Sequence, residues 1–138
     1  MQGVMVDTSV WVSYFRGGAE TEHSADAVDY LIGGDEAIVD EVVLTELLPF
    51  MSVRGESVAL AALSSIRNPP MRMDWQALRL MQEKCLRAGI NKVGVPDLMI
   101  AQHAIQLDIP LFSLDRHFSL LSTITELKLW PAAGVYRS

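Results

Sequence analysis

The chain has 138 residues, half of them apolar, with 20% charged residues, a net charge of -6 and one cysteine. That composition excludes a disordered polymer, a disulfide-stapled scaffold and a chain that meets phosphates with an overall basic surface. No apolar run reaches the roughly 18 residues of a membrane span and no basic-then-apolar leader opens the chain, so one cytoplasmic domain over residues 1–138, without membrane contact, is expected.

Val4, Met5 and Val6 predict a first strand. Asp7-Thr8-Ser9 leads directly from it into a helix carrying Val10, Trp11, Tyr14 and Phe15, which stops at Gly17-Gly18. A second helix is expected over residues 22–32, closed by Gly33-Gly34, and then a strand over 37–39. The next helix carries Val42, Val43, Glu46, Leu47 and Phe50, with Pro49 expected to kink or shorten it. A helix over residues 56–66 is followed by the breaker Asn68-Pro69-Pro70 and a weak strand over 71–73. Helical spacing over 75–87 ends at Gly89, and Pro96 opens a helix over 97–106 at the first-turn position that proline favours. Leu111-Phe112-Ser113 predicts a strand, Phe118 and Leu121 a short helix, and residues 127–130 a last strand. Short strands alternating with helices predict an α/β layered fold around a mostly parallel sheet.

That reading gives four acids unusual positions. Asp7 and Asp115 both follow a strand, where ligands of open parallel sheets collect. Glu46 has apolar neighbours at three and four residues on both sides, Val42, Val43, Pro49 and Phe50, and Asp97 opens a helix face continued by Ile100 and Ala101. A carboxylate buried on such a face needs a cation or a metal. Each acid also has a structural alternative: Asp97 and Asp115 as favourable charges at helix starts, Asp7 at a turn capped by Thr8 or Ser9, Glu46 reaching past its stripe to water. Together they suit a hard-oxygen site for Mg2+ or Mn2+ acting on a substrate phosphate, chemistry that needs no nucleophilic side chain. His23, His103 and His117 lack metal-ligand spacing. His103 reads as structural, His117 stands close enough to Asp115 to reach a substrate, and Cys85 reads as a buried thiol.

Four blocks resemble the PIN-domain ribonucleases and, among them, the VapC-type toxins of toxin–antitoxin pairs. They are Val6-Asp7-Thr8-Ser9-Val10-Trp11, Val43-Leu44-Thr45-Glu46-Leu47-Leu48, Val95-Pro96-Asp97-Leu98-Met99-Ile100-Ala101, and the stretch from Pro110 through Asp115-Arg116-His117-Phe118, in order and spacing. The resemblance spans nearly the whole chain. It implies a three-layer α/β/α sandwich with a central, mostly parallel sheet, and Asp7, Glu46, Asp97 and Asp115 as ligands of one or two divalent ions. Ser9 and Ser113 match small polar residues that orient those ligands. It also implies an RNA substrate, a homodimer and a cognate antitoxin whose arginines enter the acidic pocket, with Trp11, Phe15, Phe50 and Met51 lining a groove or dimer surface beside it; the alternative for those four is plain core. His117 stands where many family members carry a second aspartate, and Asp40 and Glu41 compete with Glu46 for its role. Two other classes fit some of these features: a receiver-like phosphoacceptor module, which would need a lysine after a late strand, and a catalytically silent PIN-fold binding protein.

Overall fold

The computed structural model describes residues 2–18 and 22–131, so the expected domain limits at 1 and 138 lie outside the described residues. Three parallel strands, β1 (Val4–Val6), β2 (Ala37–Ile38) and β3 (Leu111–Phe112), form a sheet in the order β2-β1-β3. Seven helices are described: α1 (Thr8–Arg16), α2 (Glu22–Gly33), α3 (Glu41–Val53), α4 (Ser57–Ser64), α5 (Trp75–Arg87), α6 (Val95–Leu107) and α7 (Arg116–Ser122). They flank the sheet as the outer layers of an α/β/α sandwich. All three residues of β1 are buried, as a central parallel strand covered on both faces requires.

Strand register decides which residues meet at the sheet end. Val4 and Met5 pair with Ala37 and Ile38, while Met5 and Val6 pair with Leu111 and Phe112. The residues directly after β1 and β3, Asp7 and Ser113, therefore leave the sheet side by side at its carboxyl end. Isolated parallel bridges, Ile38 to Arg67 and Leu111 to Leu129, widen each edge by one residue pair.

Two expected strands are corrected accordingly. Residues 71–73 are irregular, and pairing on that edge falls earlier, where Val39 N–H donates to Arg67 O at 3.0 Å. After this stretch Asp74 is held by a side chain: its N–H donates to Gln102 Oε1 and its carbonyl accepts from Gln102 Nε2, each at 2.9 Å. Residues 127–130 touch β3 only around Leu129, with Leu111 N–H donating to Lys128 O and Trp130 N–H to Leu111 O.

Pro49 lies inside α3 without shortening it, because the stripe Val43, Leu47, Met51 is buried at four-residue spacing and holds the helix to the body. Four helices begin on an aspartate whose side chain accepts a backbone N–H of the first turn: Asp7 from Ser9, Asp40 from Val43, Asp74 from Ala77 and Asp115 from His117. The core centres on Met5, Val6, Trp11, Ile38, Leu111 and Phe118, and the Trp11 indole N–H donates to Val6 O at 3.1 Å. Cys85 is buried there, and burial pushes its thiol pKa up. Among the described residues, no helix is long and apolar enough to cross a membrane.

Candidate active site

Asp7 is 4% exposed, and its position follows from β1 ending in the sheet centre. All its side-chain hydrogen bonds fall on Oδ2, from Ser9 N–H at 3.3 Å, Ser9 Oγ at 2.7 Å and Ser113 Oγ at 2.8 Å. Among the described residues, Oδ1 keeps its lone pairs for another partner. Ser9 Oγ accepts from Leu114 N–H at 3.0 Å and Ser113 Oγ from Asp115 N–H at 2.9 Å, so the two serines join the loop after β1 to the loop after β3.

Asp115 caps α7 through Oδ1, which accepts His117 N–H at 2.9 Å. The same oxygen lies 3.3 Å from His117 Nδ1, and Asp97 Oδ2 lies 3.8 Å from that nitrogen. One ligand-type atom each from Asp97, Asp115 and His117 falls within 4.8 Å of the other two. Asp97 enters from the first turn of α6, whose start is fixed by Pro96 after Gly94.

Glu46 joins from α3, with its Oε1 accepting a 2.7 Å hydrogen bond from Thr8 Oγ1, the residue after Asp7. The expected burial of Glu46 is corrected: it is exposed, as are Pro49 and Phe50, so the apolar residues around it belong partly to the surface. Solvent access removes the desolvation cost that burial would impose and leaves the carboxylate at the open side of the cluster.

Electrostatics ties the four acids together. The Asp97 carboxyl is held above its ordinary value first by burial, then by the charges of Asp7 and Asp115 and, more weakly, Glu46, while His117 opposes the shift. A carboxylate surrounded by three others gains from any cation placed among them. Asp115 caps α7 as its structural alternative expects, whereas Asp7 is itself the cap of α1 in place of Thr8 or Ser9, and both carboxylates add to the charge around Asp97.

The competing acids stand elsewhere. Asp40 is wholly buried, caps α3 and faces His103, and Glu41 accepts from Asn68 Nδ2 at 2.7 Å. Sequence alone does not mark Thr8 as a positioning residue. Its signal is the adjacency of a hydroxyl to Asp7, which says nothing about a partner 38 residues away.

Helices α1, α3 and α4 enclose a groove of about 780 Å3 lined by Val12, Phe15, Leu47, Phe50, Met51 and Val58, with none of the four acids in its lining. The four aromatic and methionine residues expected there divide. Trp11 is core and Met51 is buried at the groove floor, whereas Phe15 is partly buried and Phe50 is 55% exposed.

The PIN domain family matches residues 4–123. Among solved structures, the chain is similar to VapBC2 from Rickettsia felis bound to a promoter DNA fragment, at 19% identity and TM-score 0.71, covering 91% of this chain and 96% of that one. It is similar to DNA-bound VapBC from Salmonella typhimurium, at 18% identity and TM-score 0.72 with 94% and 97% covered. A toxin–antitoxin complex from Klebsiella pneumoniae is also similar, at 16% identity and TM-score 0.60, with 83% and 88% covered. At these identities the likeness is one of fold. No curated protein matches the chain.

Proposed function

The chain belongs to the PIN domain family, and on that premise we propose that it is a divalent-metal-dependent ribonuclease and the toxin of a toxin–antitoxin pair. The observation that carries the reading is the grouping of ligand-type atoms from Asp97, Asp115 and His117 within 4.8 Å of one another, with Asp7 and Glu46 near enough for their charges to raise the Asp97 carboxyl. An excess of carboxylate oxygen in one partly buried place is the donor set that Mg2+ and Mn2+ take, with remaining positions left to water and substrate phosphate. Asp97 and Asp115 would hold such an ion from within the group, with the open Oδ1 of Asp7 and the exposed Glu46 as the further oxygen donors.

A bound ion would supply Lewis acidity to a phosphoryl oxygen and to an attacking water. The chain's own residues do the positioning. Ser9 and Ser113 fix the Asp7 carboxylate through Oδ2, so that Oδ1 is presented in one orientation. Thr8 holds Glu46 toward the same pocket. The exposed side of Glu46 admits a flexible RNA strand, and the net charge of -6 assigns phosphate capture to the ion.

The partner reading rests on the groove and on the similar structures, which include VapBC assemblies and a toxin–antitoxin complex. An antitoxin segment with an apolar face fits between α1, α3 and α4, and an arginine beyond it reaches two carboxylate oxygens with its planar fork. The exposed apolar surface of this groove also suits a homodimer in the cytoplasm.

The test is cleavage of RNA by the purified protein with a chelator, with Mg2+ or Mn2+ restored, and in Asp7→Asn and Asp97→Asn. Cleavage should require the ion and fall by at least about a hundredfold in either variant, with melting behaviour retained. Metal-independent cleavage, or full activity in both variants, overturns the reading.

A further inference from the structure

His117 is the one member of the cluster that the family pattern of acids leaves out. Among the described residues, its Nδ1 is buried and makes no hydrogen bond, although Asp115 Oδ1 is 3.3 Å away. A buried nitrogen without a partner costs free energy unless something else engages its lone pair or its proton. The His117 backbone is placed by the first turn of α7, whose start the Asp115 cap fixes, and its ring nitrogen lies 3.3 Å from Asp115 Oδ1 and 3.8 Å from Asp97 Oδ2. Ligands on opposite sides of a small octahedral ion lie about 4 Å apart, twice the bond length. The atoms of Asp97, Asp115 and His117, all within 4.8 Å of one another, need only a small closure to reach that spacing.

We propose that His117 Nδ1 is a direct ligand beside Asp97 and Asp115, and that this nitrogen makes the centre select Mn2+ over Mg2+. The inference rests on the metal-dependent reading above and deepens it. Mg2+ favours oxygen donors and sheds its waters reluctantly, so exchanging an oxygen for imidazole weakens it. First-row transition ions accept imidazole readily, and two carboxylates keep the site hard enough for Mn2+ among them. His103 offers no competing nitrogen, because its Nδ1 faces Asp40 at 3.4 Å and its Nε2 faces Pro70 O at 3.2 Å.

Untagged protein is titrated with Mn2+ and with Mg2+ by calorimetry, and the Mn2+ complex is examined by pulsed electron paramagnetic resonance for coupling to 14N. Wild type should show the coupling, and His117→Ala and His117→Asp should lose it. The Mn2+ to Mg2+ affinity ratio should fall at least about tenfold in His117→Asp, which restores an oxygen donor. If Mn2+ binds wild type, is lost in Asp97→Asn, and shows no histidine coupling, His117 is not a ligand while the metal-dependent reading stands. Tighter Mn2+ binding by His117→Ala would also overturn the proposal, since it would mean the side chain only offsets acidic charge. If neither ion binds wild type, the proposal and the reading beneath it both fall.

Discussion

Two places among the described residues that bring aspartate and histidine together are built to opposite ends. At the junction of α3 and α6, Asp40 and His103 are 0% and 1% exposed, and every polar contact is answered from within. Val43 N–H donates to Asp40 Oδ1, His103 Nδ1 lies 3.4 Å from Asp40 Oδ2, and Pro70 O lies 3.2 Å from His103 Nε2. At the carboxyl end of the sheet, Asp97 and Asp115 face one histidine, with Asp7 adding its charge and Glu46 at the rim, and negative charge is left over. The first pair is closed and matched partner for partner; the second is partly open and short of cations. Residue type is the same in both, so the balance of charge and partners separates a structural pair from a candidate site.

The largest expected effect breaks the closed pair. His103→Ala leaves Asp40 buried without its hydrogen-bond partner and opens a cavity in the core, which together cost about 3–5 kcal/mol. Urea unfolding should show it, and the double variant Asp40→Asn/His103→Ala should lose less than the sum of the single changes. Additive losses would mean that the two side chains do not act as a unit.

Next comes the ion at the open cluster. At a hundredfold excess over the dissociation constant, a divalent ion adds about 2.7 kcal/mol of stability, read as a rise in melting temperature. Asp7→Asn should remove most of that rise, and His103→Ala should keep it. An equal rise in wild type and Asp7→Asn would place the ion elsewhere.

A smaller effect sharpens the contrast through pH. The Asp97 carboxyl is raised above its ordinary 3.8 in the folded protein, chiefly by burial and then by the neighbouring acids. The folded state therefore binds a proton more readily than the unfolded chain does. Its contribution is full below 3.8 and is lost as pH rises through the raised value. Without metal, stability should increase as pH falls from neutral toward that value, and Asp97→Asn should flatten the slope. Chemical denaturation across that range checks it; an unchanged slope in the variant would assign the dependence to other groups.

The smallest effect on the isolated protein is expected in the groove. Phe50→Glu replaces an exposed ring and should shift stability within about 0.5 kcal/mol, leave RNA cleavage intact, and weaken capture of the co-expressed antitoxin. Undiminished complex formation would move the partner off this surface.

Much of this contrast is legible in the sequence, for identifiable reasons. Strands β1 and β3 are apolar runs ending in a hydroxyl and an acid, so Asp7 and Asp115 can be located from chain order alone. Pro96 marks the start of α6 and with it Asp97. His103 is recognisable as structural from its apolar neighbours, but its partner Asp40, 63 residues away, is not. Glu46 shows where periodicity stops helping. Val43, Leu47 and Met51 face the core while Phe50 and Val53 on the same helix face solvent, and a stripe of apolar letters is identical whether it meets a core or a groove. Residues 71–73 alternate like a strand, yet the backbone beside them is tied by the Gln102 amide, a substitute that no local pattern encodes.

The register between β1 and β3 has a consequence in time. Met5 and Val6 find Leu111 and Phe112 only after more than a hundred intervening residues have been made, and the Ser113 bond to Asp7 spans 106 positions. A chain emerging from the ribosome at about 5–20 residues per second thus spends most of its synthesis with Asp7 lacking Ser113 and Asp115. No shorter nascent form holds the assembled cluster. The activity proposed above would therefore be absent from a nascent chain until residues 111–115 had emerged and joined Asp7.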